Sequence, residues 1–339
     1  MKKFLTFALV AAFMTVVTVS AHARDQIRIV GSSTVYPFAS YVAEEFGATT
    51  GHPTPIIEST GSGGGHKLFS AGTDLNTPDI TNSSRRMKTS EFDKNMEVGN
   101  KEIVEVVIGY DGIAIAFNKS NPDINLTRKD LTLAVAEQVP VNGKLVANPY
   151  KKWNEINPSL PAKGILIYGP PTSSGTRDAF EELVMEPVTK KMSEYGGKGY
   201  MKIRQDGVYV PAGENDNLIV QKLVKDKDAF GIFGYSFLEE NADRIKGASV
   251  DGVEPVPANI SSAKYPVSRS LYFYVKMSHL DKVPGMKDYV DLFLSEKMIG
   301  ANGLLKTIGL IPLPDADRDS VRARWNKRQM LTKADLEEK

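Results

Sequence analysis

The chain has 339 residues, 42 Lys+Arg against 41 Asp+Glu, no cysteine and 41% hydrophobic residues. That length holds roughly two domains of ~150 residues, with apolar content enough for real cores. The lack of cysteine excludes disulfide scaffolds, thiolate metal sites and cysteine nucleophiles, and the net charge of +1 excludes a strongly basic nucleic-acid binder.

Lys2 and Lys3 precede an apolar run from Phe4 to Val19, and Ala21-His22-Ala23 forms a small-x-small cleavage signal before Arg24. This pattern reads as a signal peptide over residues 1–23, cleaved after Ala23, so the mature protein is expected in the periplasm. The run is too short for a stop-transfer helix, and no cysteine follows it for a lipid anchor. Ile27 to Val30 then predicts a strand that stops at Gly31-Ser32-Ser33. Val35, Phe38, Val42 and Phe46 mark one apolar helical stripe, with Gly47 as its stop. Pro55 to Glu58 predicts a second strand, running into Thr60-Gly61-Ser62-Gly63-Gly64-Gly65, with a helix starting at His66. Val104 to Ile108 and Gly112 to Phe117 are β-like. Ile165 to Tyr168 is a further strand, and Thr176 to Met185 is helical until Pro187.

Alternating strands and helices predict an α/β fold. Asn118 to Asp123 and the proline-rich Val253 to Val267 read as loop or hinge material, after which Leu271 to Val275 resumes as a strand. A chain leaving one domain near 115 and returning near 267 gives a discontinuous first lobe, 24–114 plus 267–339, and a second lobe, 115–266. Two crossings between them would form a hinge with a cleft. The charged C-terminal stretch carrying Arg322, Arg324, Lys327 and Arg328 reads as a solvated packing helix.

Three times a strand runs into hydroxyl and glycine residues and then a helix: Gly31-Ser32-Ser33-Thr34, Thr60 to Gly65, and Ser173-Ser174-Gly175-Thr176. A helix N-terminus offers unpaired N–H groups and partial positive charge, glycine permits close backbone approach, and hydroxyls donate to anionic oxygens. Each junction alone is also ordinary capping chemistry. Together they suit a small tetrahedral oxyanion. Gly61 to Lys67 is no P-loop, because His66 precedes Lys67 and Leu68 replaces the Ser/Thr. There is no G-x-S-x-G elbow and no H-E-x-x-H helix, and His52, His66 and His279 lack ligand spacing, so no metal or other cofactor is expected. Arg85, Arg86 and Arg177 lie close to the junctions as candidate anion forks, at most one of Arg85 and Arg86 facing the cleft; Arg177 and Asp178 also suit a local surface pair.

These residues resemble the periplasmic phosphate-binding proteins of Pst-type ABC transporters. The likeness runs through most of the mature chain and is carried by Gly31-Ser32-Ser33-Thr34-Val35-Tyr36-Pro37, Gly61 to Gly65 and Ser174-Gly175-Thr176-Arg177-Asp178-Ala179-Phe180. Lys151-Lys152-Trp153 with Asn157-Pro158, and Ala229 to Tyr235, are also similar. The resemblance implies a two-lobed, type II-like periplasmic-binding-protein fold that closes over phosphate and delivers it to an ABC permease as a monomer, without catalysis. The residues it places around phosphate are Ser33, Thr34 and Val35, Ser62, and Ser174, Gly175 and Thr176, with Ser84 and Arg85 alongside. The family's arginine four residues before S-G-T, and its aspartate two residues before it, are here Pro170 and Thr172. Arg177 or Arg85 is expected to replace that arginine. The family's acceptor aspartate aligns near Ser84, which cannot do its work. Asp111 is the candidate acceptor, with Asn215 and Asp216 as alternatives; Asp111-Gly112 also suits a plain turn. The competing expectations are a binder of sulfate, arsenate or molybdate, and a secreted phosphatase.

Overall fold

A computed structural model describes residues 24–172, 174–212 and 216–337. The expected signal peptide, Ser173 and the candidate Asn215 lie outside the described residues. Among these residues one nine-stranded sheet runs the length of the molecule. Its first half is built on three parallel strands, β1 (Arg28–Gly31), β2 (Ile56–Ser59) and β3 (Ile80–Ser83), linked by helices α1 (Tyr36–Thr50) and α2 (Gly61–Phe69). The antiparallel strand Ser268–Lys276 joins β3 to the long β4 (Ile103–Asn118). Beyond β4 follow Phe230–Gly234, Ile167–Gly169 and Tyr209–Pro211, while Ile245–Gly247 also pairs with β4.

Where two strands with a break at Asp111-Gly112 were expected, β4 is continuous. It changes partner instead of turning. Residues 103–112 pair with Ser268–Lys276, and residues 113–117 pair with Phe230–Gly234. A register shift beside Leu271 and a glycine at φ +155°, Gly109, absorb the extra residue.

The apolar side chains gather in two cores that meet on β4. The first contains Val104, Val106 and Ile108 with Leu271, Phe273 and Phe293; the second contains Ile113, Ile115 and Phe117 with Phe180, Ile232 and Tyr265. The chain therefore passes between cores at Gly112/Ile113 and at Val267/Ser268. A third strand of backbone reaches this waist where Tyr110 and Ile311 exchange hydrogen bonds of 2.8 and 3.0 Å. Asn118 to Asp123 is then a turn at the far end of the second core, several residues past the crossing.

Local chemistry explains the remaining differences from expectation. Phe38, Val42 and Phe46 on α1 and Val35 just before it are all buried, each worth about 1.5–3 kcal/mol of transfer free energy. The helix does not stop at Gly47, which is glycine because a Cβ there would overlap the Thr54 side chain; it ends at Gly51 with φ +73°. The helix from Gly175 passes through Pro187: it is α-helical to Phe180, π-helical over Glu181–Met185 and α-helical again over Glu186–Thr189. Pro187 cannot bond the Leu183 carbonyl, which instead accepts from Arg128 Nη1 at 3.5 Å. The C-terminal helix Asp315–Asn326 buries Val321 and Trp325, and Trp325 Nε1 donates to Asp291 at 2.6 Å.

Candidate functional site

The parallel pairing sets the site's position. Gly31 is level with Ser59 on β2 and with Asn82 on β3, so the loops following all three strands open at one sheet edge. That carboxyl edge is where α/β sheets generally bind ligands. The glycines after β2 are not a loop, as expected, but the first turns of α2. Gly65 lets that helix press onto β1, since a Cβ there would lie 2.5 Å from Gly31 Cα and 2.6 Å from Thr81 Oγ1. Ser62 is spent locally: its hydroxyl accepts from Ser84 N at 3.0 Å and shares a 3.1 Å hydrogen bond with Ser84 Oγ.

The first and third junctions meet across the waist. They wall a cleft of about 400 Å³ lined by Ser33, Thr34, Asp111, Ser174, Gly175, Thr176 and Asp216, with Tyr36, Phe237, Ser236 and Gly309 among its other walls. Ser33 Oγ donates to Asp178 Oδ2 at 2.8 Å, and Thr34 Oγ1 donates to the Gly175 carbonyl at 3.3 Å. Ser174 caps its helix by accepting from Thr176 N at 3.2 Å. Asp216 Oδ2 accepts from Gly234 N at 3.3 Å. Val35 is buried, with its N–H donating to Ser32 Oγ, so it serves the turn instead of the cleft wall.

The arginine beside this cleft is Arg269, which the sequence reading missed. Its side chain is 8% exposed; Nη2 donates to Thr34 Oγ1 at 2.8 Å, Nη1 pairs with Glu182 at 2.6 Å, and Nε lies 3.4 Å from Asp111 Oδ2. Strand register brings the last pair together, because Arg269 is directly opposite Asp111. That pair lacks hydrogen-bond geometry: neither Asp111 Oδ2 nor Arg269 Nε has a partner among the described residues. Burial pushes the Asp111 carboxyl above its ordinary range, and the neighbouring guanidinium only partly offsets this. The three arginines named from sequence are committed elsewhere. Arg85 grips Glu91 through both ends of its fork at 2.9 and 2.7 Å, and Arg86 grips Glu105 in the same way. Arg177 pairs with Glu181, stacks 4.9 Å from the Tyr209 ring centroid and lines a different depression with Arg204.

A family model described as a PBP superfamily domain matches residues 16–297. The chain is 30% identical over 304 residues to the phosphate-binding protein PstS of Staphylococcus saprophyticus, covering 88% of this chain and 83% of that protein. It belongs to the PstS-like phosphate-binding protein family. It is also 28% identical over 316 residues to protein SphX of Synechococcus elongatus, covering 91% and 84% of the two chains. A solved structure of a possible phosphate binding protein from Planctomyces limnophilus superposes with a TM-score of 0.75 at 28% identity, over 90% of this chain and 99% of that one. The architecture is thus the α/β periplasmic-binding-protein fold.

Within this PstS-like frame the guanidinium comes from the returning strand and not from the loop before S-G-T. One signal could have found it. Once Asp111 is placed at the outgoing crossing and residue 267 at the return, Arg269 is the first cation on the strand coming back. Among the described residues no group of three or more His, Cys, Asp or Glu could hold a metal ion.

Proposed function

We propose that this protein binds inorganic phosphate between two lobes, 24–112 plus 268–337 and 113–267, and delivers it to an ABC permease. The observation that carries this reading is the meeting of Thr34, Arg269 and Asp111 with the Ser174–Thr176 helix start in one cleft. Hydroxyls and helix N–H groups are neutral donors, Arg269 supplies one positive charge, and the helix dipoles add partial charge. Carboxylates nevertheless outnumber the guanidinium around the cleft. A fully deprotonated tetrahedral anion is repelled there, whereas phosphate keeps a proton near neutral pH and through it donates a hydrogen bond to a carboxylate. Asp111 and Asp216 are the acceptors this reading assigns. The contacts Ser33–Asp178, Thr34–Gly175 and Arg269–Glu182 join the two cores, so in this reading they form as the lobes close and part as they open. A cleaved signal peptide places the monomeric protein in the periplasm.

The test is equilibrium dialysis of ligand-stripped protein against radiolabelled phosphate. The expected result is one phosphate retained per chain by the native protein and none by Thr34→Val or Arg269→Gln. Equal retention by all three would remove the cleft from the account, and no retention by the native protein would end the phosphate reading.

A further inference from the structure

Inorganic phosphate leaves most of the cleft unfilled. Its five heavy atoms displace about three waters, ~90 Å³. The cleft holds about 400 Å³ even with its walls in contact at Thr34–Gly175 and Ser33–Asp178. Organic ligands commonly occupy clefts of about 300–1,000 Å³. The hydroxyl and helix-start residues form only one side of the lining. The other side includes Tyr36, Pro37, Phe38, Phe237 and Ile308, none of them charged.

The apolar side is continuous with the polar one in both lobes. In the first lobe Tyr36 opens α1 two residues after Thr34, and the turn Leu304–Ile308 packs on the same helix. In the second, a Cβ built on Gly234 would lie 3.9 Å from both Asp216 Oδ2 and Phe237 Cδ2, so the carboxylate and the ring are neighbours. The lobes approach again on this side, where a Cβ on Gly309 would lie 3.3 Å from Ser236 Oγ. Tyr36 and Ile308 are among the few exposed large apolar side chains of the described residues, at 40% and 37%. Apolar walls left in contact with water are stabilised when an apolar group covers them.

We propose that the cleft also takes organophosphonates, R–PO₃H⁻ with a small apolar R such as phenyl. The inference rests on the phosphate reading for the place of the PO₃H⁻ group and adds a place for R. A phosphonate keeps three of phosphate's four oxygens around a tetrahedral phosphorus. Its fourth vertex carries R from the polar side toward Tyr36, Phe237 and Ile308. A phosphate ester would suit the same walls, but its second pKa is about 6, so it has lost most of that proton at pH 7. Carbon withdraws less charge than oxygen, so a phosphonate retains more of the proton that a carboxylate acceptor requires. A sulfonate carries none.

The test is calorimetric titration of the full mature chain at pH 7 with phosphate, methylphosphonate, phenylphosphonate and benzenesulfonate. The two phosphonates share one head, so their affinity ratio reads the apolar walls alone. The expected result is one phenylphosphonate per chain, displaced by phosphate and held about tenfold tighter than methylphosphonate. That is the gain from covering on the order of 60 Å² of apolar surface. Benzenesulfonate is expected not to bind. Ile308→Ser and Phe237→Ala should each cut the phosphonate ratio about threefold, and Ile308→Ser should keep native phosphate affinity. Should either variant fail to fold, the ratio in the native protein still decides the matter. With phosphate bound normally, a ratio near one, no binding of either phosphonate, phenylphosphonate that phosphate does not displace, or equal binding of benzenesulfonate overturns the inference and leaves the phosphate reading standing. A ratio that both variants leave unchanged overturns it as well. No binding of phosphate ends the phosphate reading, and this inference with it.

Discussion

Gly175→Ala isolates closure of the cleft from stability of the fold. Gly175 is the first residue of its helix, where alanine is at least as good a helix former as glycine, by up to ~1 kcal/mol. Its environment across the waist is far less tolerant. An added Cβ would lie 2.9 Å from both Thr34 Cα and Thr34 N and 3.1 Å from Ser33 C, all backbone atoms that cannot rotate away. Carbon atoms in good contact lie about 3.5–4.0 Å apart, so the two junctions must separate by more than half an ångström. Overpacking of that order costs about 1–3 kcal/mol. Because the clash lies between the cores, opening the cleft relieves it. The cost should therefore fall on phosphate binding, as a loss of about 5- to 150-fold in affinity. Melting of the phosphate-free protein should stay level or rise slightly, while the stabilisation added by phosphate shrinks by the same 1–3 kcal/mol. Calorimetry with phosphate and thermal melts with and without it measure both sides. Native affinity in the variant would refute the reasoning. So would a phosphate-free protein destabilised by the full amount, because the contact would then belong to the fold and not to closure.

Other substitutions test other parts of the site. Arg269→Gln removes one member of a buried charge cluster and should weaken phosphate by at least ~30-fold, or about 2 kcal/mol. Arg269→Lys should not restore binding, since an ammonium cannot serve Thr34, Asp111 and Glu182 together, and titration of both variants checks this. Asp111 is an acid whose folded pKa is raised, so it carries a penalty at neutral pH that shrinks once pH falls below the raised value and is gone below the ordinary carboxylate value. Asp111→Asn should therefore raise or preserve the melting temperature without phosphate at pH 7 while admitting sulfate; a lower melting temperature with discrimination intact would contradict this. Burial lowers the His66 pKa to about 4, against ~6.5 in the unfolded chain. Stability should then fall by up to about 3 kcal/mol between pH 6.5 and 4, as the unfolded state takes up the proton first. Urea titrations across that range should show the slope in the native protein and a flatter one in His66→Gln.

Patterns local in sequence were legible to the extent that local physics decides them. The α1 stripe needs only helical spacing, and strand–hydroxyl–helix junctions are visible as written; Ser33, Thr34 and Ser174 to Thr176 consequently line one cleft. Gly47 and the Gly61–Gly65 run misled because glycine has two uses. It ends helices, but it also lets a helix touch a neighbouring chain, and only the positions of Thr54 and Gly31 decide between them. Asp111-Gly112 carries turn residues yet lies inside a strand, because pairing with Arg269 and Ser268 on one edge overrides local preference. Arg85 and Arg177 are near the junctions in sequence but have carboxylates six and four residues further on, Glu91 and Glu181, which take the forks. Arg269 is 235 residues from Thr34 along the chain, so only the register of two antiparallel strands reveals it.

The most direct test of the central claim is isothermal titration of the mature, ligand-stripped protein with phosphate and, separately, with sulfate at neutral pH. The account predicts one-to-one binding of phosphate and no heat with sulfate, since the cleft's carboxylates accept a hydrogen bond that only protonated phosphate can donate. Equal binding of both anions would remove Asp111 and Asp216 as acceptors, and binding of neither would contradict the account as a whole.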